Sequence, residues 1–294
     1  MVNFSGKLNN IAQNTDSYLK IFFSKQNSSS HLIKSMKYGI FSGGKRFRSA
    51  IIVNAGKIFG IDYKKLIIIG AAVECLHSYS LMHDDLPSMD NDNFRRGRLS
   101  THKKFNEFTA ILAGNSLLTL AFEILSSSDL KVPQKIKGEL IRVLSNCSGH
   151  SGLAGGQYSD LTFENKNISK KNIINMQKKK TGELFGFCCE SVAIINGENI
   201  KKRKLLREIG LQIGLLFQIV DDLIDYKGDS RIVGKPTNSD KKKGKATLVN
   251  LLGYSETLNF AKTLQKKLNQ QIKKYGIKAN DLLESTEFIL TREF

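Results

Sequence analysis

The sequence predicts an all-α protein, and three observations carry that prediction. Apolar residues recur at helical spacing through most of the chain. No run alternates apolar and polar residues as a half-buried strand would. Only three prolines, Pro87, Pro133 and Pro236, interrupt 294 residues. The clearest helix covers 65–86, where Leu66, Ile69, Ala72, Val73, Leu76 and Leu81 leave almost no polar face. Such a segment has to be buried all round, which predicts a multi-helix bundle or a subunit interface. A second helix, 105–126, is carried by Phe105, Leu112, Leu117, Leu120 and Ile124, and a third, 201–226, by Leu205, Ile209, Ile213, Phe217, Val220 and Ile224. Weaker periodicity marks 3–24, 30–41, 46–59, 134–147, 170–195, 246–275 and 279–290. Segments 150–169 and 227–245 are rich in Gly, Ser, Asn and Lys and are expected to be loops, the second long enough to serve as a lid. Without an internal repeat or a Pro- or Ser-rich linker, residues 1–294 are expected to form a single domain.

Composition narrows the class. Lys and Arg number 45 against 27 Asp and Glu, a net charge of +18, and hydrophobic residues make up 40%. Those fractions fit a soluble globular protein. The charge admits a basic helical nucleic-acid-binding protein. The basic residues are mostly scattered Lys, however, which suits a solvated surface, so no nucleic-acid partner is expected. Cys75, Cys147, Cys188 and Cys189 lie in apolar contexts without C-x-x-C spacing and are expected to be reduced and buried, as in a cytoplasmic protein. The segment MVNFSGKLNN lacks the apolar core of a signal peptide, and the longest apolar run, Leu66 to Val73, is too short to span a bilayer. A cytoplasmic location with no membrane anchor is therefore expected.

The aspartates do not scatter. Of 14, four lie at Asp84, Asp85, Asp90 and Asp92 and four at Asp221, Asp222, Asp225 and Asp229, each set closing a strongly apolar helix. Gln218, Asp221, Asp222 and Asp225 follow i, i+3, i+4, i+7 spacing and form one helical stripe. Carboxylates so crowded require cationic compensation, and hard divalent cations are the natural candidates. Asp84 and Asp90 are six apart, which is not one helical face, so they can share a site only if the chain turns at Pro87. A charged helix end is the alternative for either cluster alone, but aspartate is disfavoured there by the helix dipole. Five of the ten arginines fall in Gly43-Gly44-Lys45-Arg46-Phe47-Arg48 and Arg95-Arg96-Gly97-Arg98. Arginine suits bidentate phosphate contacts, and the paired glycines let backbone approach an anion. Carboxylates for metal with arginines beside them describe a site for a diphosphate substrate. No G-x-x-x-x-G-K-[ST] nucleotide loop is present.

On these residues the chain resembles the short-chain trans-isoprenyl diphosphate synthases, the bacterial-type farnesyl diphosphate synthases most of all. The matching pieces are GGKRFR (43–48), HSYSLMHDDLPSMDND (77–92), RRG (95–97), AGGQ (154–157), KTG (180–182), FQIVDDLID (217–225) and GKPTNSDKKKGK (234–245), in the family's order. The resemblance implies an isoprenoid-synthase fold, a helical bundle around a central cavity, and a homodimer. It implies that Asp84, Asp85, Asp90, Asp221, Asp222 and Asp225 hold Mg²⁺, three ions per site. Arg95, Lys180, Thr181, Gln218 and Lys235 would contact the allylic diphosphate, and Lys45, Arg48, His77 and Arg96 the isopentenyl diphosphate. Asp84, Asp85, Asp221, Lys180 and Arg95 would carry catalysis. Tyr79, five residues before Asp84, would floor the cavity and stop growth at C15. The implied activity is Mg²⁺-dependent condensation of isopentenyl diphosphate with dimethylallyl and geranyl diphosphate to (2E,6E)-farnesyl diphosphate. A C20 geranylgeranyl synthase is the close alternative. A class I terpene cyclase would lack the second aspartate motif. The tail residue Arg292 is expected near the isopentenyl site.

Overall fold

The computed structural model describes residues 4–26, 29–227 and 243–292. Asp229, Lys235, Pro236 and the expected lid around them lie outside the described residues. The chain divides into two compact units, Met1–Val53 with Asp62–Ile141, and Asn54–Ile61 with Arg142–Phe294. Helices α3 (Phe47–Ile58) and α7 (Gln134–Ser148) contribute residues to both.

In the first unit, α1 (Phe4–Ser24) buries Leu8, Ile11, Leu19 and Phe23 along one stripe. Ser30 caps α2 (His31–Ile40) by accepting from the Ile33 amide, and Asp62 caps α4 (Tyr63–Asp84) by accepting from the Lys65 amide at 3.2 Å. Helix α4 is buried on all sides between Leu66 and Leu76, as its lack of a polar face requires. It packs against α6 (Glu107–Ser126), which Asn106 caps through the Thr109 amide at 2.8 Å. Both α4 and α6 are long and apolar enough to cross a membrane by length and composition, but 78% of the α4 window and 50% of the α6 window is buried.

A short hairpin and a short helix between α4 and α6 escaped the sequence reading. Phe94–Arg95 (β1) pairs antiparallel with Arg98–Leu99 (β2), and the turn between them places Arg96 and Gly97 at φ 53° and 73°. Positive φ at both turn positions matches the right-handed twist of a two-residue hairpin, and explains a glycine after the arginine pair. The four-residue helix α5 (Thr101–Lys104) follows.

In the second unit, α8 (Leu153–Thr162) occupies part of the expected loop 150–169. The expected helix 170–195 is three pieces: α9 (Lys170–Gln177), a π-helical turn over Lys178–Gly182, and α10 (Glu183–Ile195). Helix α11 (Ile200–Lys227) packs along α10. The approach is close because Gly210 faces the Phe185 carbonyl, where a Cβ would lie 2.2 Å away. Polar ties cross the same pair: Arg203 donates to Glu190 at 2.9 Å, and Arg207 reaches Glu190 at 3.1 Å and Glu183; Arg207 also donates to the Cys147 sulfur on α7 at 3.2 Å. Gly253, at φ 79°, separates α12 (Leu248–Leu252) from α13 (Tyr254–Lys273), dividing the expected helix 246–275. Helix α14 (Asn280–Thr291) ends the unit. All four cysteines are buried, and no disulfide links them among the described residues.

Candidate active site

The first aspartate motif begins where α4 stops. Asp85 caps the helix with its amide on the Leu81 carbonyl at 3.1 Å. Pro87 ends the helical run, and the chain turns back on itself. The Asp90 amide donates to the Asp84 carbonyl at 2.9 Å, and the Asp92 amide to the Asp85 carbonyl at 3.2 Å. The turn that six-residue spacing demanded is therefore present, and Asp84 and Asp90 share one loop. Arg95, set by the hairpin, donates through Nε to Asp85 Oδ1 at 3.0 Å and through Nη2 to the same oxygen, and lies 3.5 Å from Asp92. Asp85 is buried, and burial pushes its carboxyl up against the pull of Arg95.

The residues expected to hold isopentenyl diphosphate separate by role. His77 stands on α4, seven residues before Asp84. Burial first, then the positive charges of Arg48, Arg96, Arg46 and Arg95, hold its imidazole well below the usual histidine range, so the ring is neutral. His77 thus lies within electrostatic reach of both segments of arginine. Gly43 and Gly44 take φ 94° and 108°, and Arg96 lies across them, donating to the Gly43 carbonyl. A Cβ on Gly44 would meet the Arg96 guanidinium at 2.5 Å, so the paired glycines make room for that side chain. Lys45 is exposed. Arg46, which the sequence reading left out of this set, is a buried strut: it donates to Asp16 at 2.8 Å and to the Ile40 carbonyl, and lies 3.9 Å from Glu74. Glu74 is a residue the sequence reading missed. A lone carboxylate in the apolar run of α4 required a cation, and that requirement was the available clue. Tyr79 is half-buried, with its ring edge-on to His83 at 4.7 Å. His83 in turn bonds the Ile111 carbonyl at 3.1 Å on α6.

The second unit carries the other motif. Asp221, Asp222 and Asp225 share one stripe of α11, with Asp222 and Asp225 buried. Gln218 donates to Asp222 Oδ1 at 2.8 Å, and Gln177 donates to Asp222 Oδ2 at 2.7 Å. The Thr181 hydroxyl donates to Gln218 Oε1 at 2.7 Å. Thr181, Gln218 and Asp222 thus form one chain of hydrogen bonds. Thr181 and Lys180 owe their position to the π turn, a distortion often found at functional sites. Lys180 donates to Asp160 Oδ2 at 2.7 Å, and Lys245 donates to the same oxygen at 3.0 Å. The Asp160 carboxyl sits below the usual range: burial opposes its charge, and the two ammonium groups outweigh burial. Helix α8 approaches the π turn through Gly156, where a Cβ would lie 2.1 Å from the Lys180 backbone nitrogen. Asp160, Gln177 and Lys245 were not foreseen as site residues. Arg292, at the end of α14, donates to Asp221 Oδ1 at 2.9 Å and covers the Phe217 ring. Lys235 lies outside the described residues.

The donor set of both motifs is carboxylate oxygen, which suits Mg²⁺. Among the described residues no three His, Cys, Asp or Glu side chains converge into a closed metal cage. Mg²⁺ itself keeps waters and takes one or two carboxylates with phosphate oxygens from its substrate. Guanidinium groups rest on Asp85 and Asp221, so each motif already accepts a cation.

Carboxylates prepared for hard cations, with arginine, lysine and a neutral histidine prepared for anions, define a class of helical enzyme that works on diphosphate esters. The chain belongs to the polyprenyl synthetase family, whose model matches residues 29–284. A farnesyl diphosphate synthase of Buchnera aphidicola subsp. Acyrthosiphon pisum is 42% identical over 259 residues, covering 84% of this chain and 89% of that one. The apo structure of an FPP/GFPP synthase from Zymomonas mobilis superposes with a TM-score of 0.85 at 34% identity, covering 99% of each chain. A geranyltransferase from Helicobacter pylori, complexed with magnesium and isoprenyl diphosphate, superposes with a TM-score of 0.82 at 31% identity, covering 96% of each. The all-α isoprenoid-synthase fold expected from the sequence is thereby borne out.

Proposed function

We propose that this chain condenses isopentenyl diphosphate with dimethylallyl and then geranyl diphosphate, giving (2E,6E)-farnesyl diphosphate. The observation that carries the site assignment is the loop 84–92, which folds Asp90 back to Asp84 and sets Arg95 on Asp85. Asp84, Asp85 and Asp90 of the first motif, and Asp221, Asp222 and Asp225 of the second, would each hold Mg²⁺, three ions in all. Bound there, the metal would supply positive charge to the diphosphate leaving group. Arg95, Lys180, Thr181, Gln218 and Lys235 would hold the allylic diphosphate and stabilise the charge it gains as the allylic C–O bond breaks. Lys45, Arg48, His77 and Arg96 would hold isopentenyl diphosphate, with the neutral imidazole accepting or donating one hydrogen bond and adding no charge. The double bond of isopentenyl diphosphate attacks the allylic cation, and the proton then lost passes to the departing diphosphate. No protein nucleophile is required. Tyr79, braced by His83, would limit the chain to C15.

A homodimer is supported by α6, whose Phe108, Ile111 and Leu112 form an exposed apolar stripe at i, i+3, i+4 spacing. A cytoplasmic location is supported by four buried cysteines without disulfides.

The test is incubation with geranyl diphosphate, labelled isopentenyl diphosphate and Mg²⁺, with products separated by chain length. A Mg²⁺-dependent C15 product is expected. A mainly C20 product overturns the chain-length assignment, and no product overturns the activity. Asp84→Asn and Asp221→Asn should each lower turnover at least about 10²-fold with unchanged circular dichroism.

A further inference from the structure

Arg292 is held far more firmly than a chance surface cation. Its Nη1 meets Asp221 Oδ1 at 2.9 Å, its Nη2 donates to the Phe217 carbonyl at 3.2 Å, and its Nε donates to the Ile289 carbonyl at 3.3 Å. The guanidinium carbon lies 4.1 Å from the centre of the Phe217 ring. The side chain is 14% exposed, while that of Asp221 is 43% exposed. Asp221 is the open member of its stripe, since Asp222 and Asp225 are buried. Two elements therefore cooperate on one point: α14 delivers the arginine, and Phe217, one turn before Asp221 on α11, provides both its carbonyl and its ring face.

We propose that Arg292 is a latch on the second aspartate motif: it occupies Asp221 while no metal is bound, competes with Mg²⁺ for that carboxylate, and is displaced when the metal loads. The proposal rests on the reading that Asp221 is a metal ligand. Two effects of the latch oppose each other, and their sizes decide the sign. Fixing the short Asp221 side chain favours a later ligand by only about threefold, the entropy of one small rotamer set. A guanidinium sharing a half-exposed carboxylate with a divalent cation weakens that cation's binding by about tenfold or more, even at the dielectric constant of water. Competition wins. Asp85 shows the same arrangement in the first unit, where Arg95 occupies the carboxylate, but Arg95 is already assigned to the substrate. Arg292 caps the C-terminal end of α14, and the sequence reading assigned it no part in holding the metal or the allylic diphosphate.

The experiment is a titration of the full-length chain with Mn²⁺ alone, followed by water-proton relaxation, which detects weak binding without turnover. Arg292→Gln should bind Mn²⁺ about tenfold more tightly than the original chain. Arg292→Lys keeps the charge and should stay within about twofold. The gain should vanish in the Asp221→Asn/Arg292→Gln double variant. Arg292→Gln affinity equal to or weaker than the original overturns the latch, as does Arg292→Lys binding as tightly as Arg292→Gln. If Asp221→Asn alone leaves Mn²⁺ binding untouched, the metal assignment itself is what fails. Circular dichroism confirms that each variant is folded.

Discussion

Replacing Asp160 with Asn tests the second unit's electrostatics at one atom. Asp160 Oδ2 accepts from Lys180 at 2.7 Å and Lys245 at 3.0 Å, with the Asp160 and Lys245 side chains 8% and 7% exposed. Removing one partner of a buried pair costs about 3–5 kcal/mol. Here Lys245 retains Glu164 at 3.0 Å, and Lys180, 25% exposed, regains some water. The net loss should be about 2–3 kcal/mol. At an unfolding entropy of roughly 0.6 kcal/mol/K for a chain of this size, Tm should fall by about 3–5 °C. The pH dependence follows from the direction of the shift. The folded carboxyl lies below its ordinary value, so its contribution is fully present above the unfolded value of about 3.9 and is lost as pH falls through the lower folded value. The gap in Tm between the two proteins should be full at pH 7 and should narrow as pH drops below about 4. Lys180 also loses the anchor that aims it, and kcat/KM for geranyl diphosphate should fall at least about tenfold. Thermal melts across pH, with steady-state kinetics, read both effects. Asp160→Asn with unchanged Tm and unchanged kcat/KM would refute the reasoning; a lower Tm alone would leave Asp160 as scaffold only.

Two further substitutions test geometry. Gly156→Ala places a methyl 2.1 Å from the Lys180 backbone nitrogen, so α8 must move off the π turn; about 1–3 kcal/mol of stability and a larger share of kcat/KM should be lost, measured by melts and kinetics. Tyr79→Ala removes the half-buried ring braced by His83 and should shift the product mixture from C15 toward C20, read by chromatography of the dephosphorylated prenols.

The helical class was legible because α4, α6 and α11 carry apolar residues at a period that no other structure satisfies. Helix α8 was hidden by the residues it needs: Gly155 and Gly156 weaken helical periodicity, but Gly155 makes room for the His150 backbone and Gly156 for that of the π turn. The hairpin at 94–99 was hidden because two-residue strands have no periodicity to show. Asp222 was legible as one of a stripe, since its partners Gln218 and Asp225 lie on the same helix. Asp160 was not, because its lysines lie 20 and 85 residues away and no local pattern connects them. The buried Glu74 gave a clue that was passed over, a single charge in an apolar helix, whose answer in Arg46 came from another element. Local spacing thus revealed the residues that share a helix face, and missed those joined by packing.

The π turn at Lys178–Gly182 has a consequence for how this stretch can vary in length. The Glu183 amide donates to the Lys178 carbonyl, five residues back, so the turn holds one residue more than an α-helix would. Helices α9 and α10 are consecutive in sequence yet out of phase by about 100°, the rotation of a single residue. A one-residue deletion here would bring them into phase, produce a more regular helix, and swing Lys180 and Thr181 to another side. Substitutions within the turn leave that phase alone; a change in its length does not. In this segment the number of residues is a requirement of its own, beside the identities of Lys180 and Thr181.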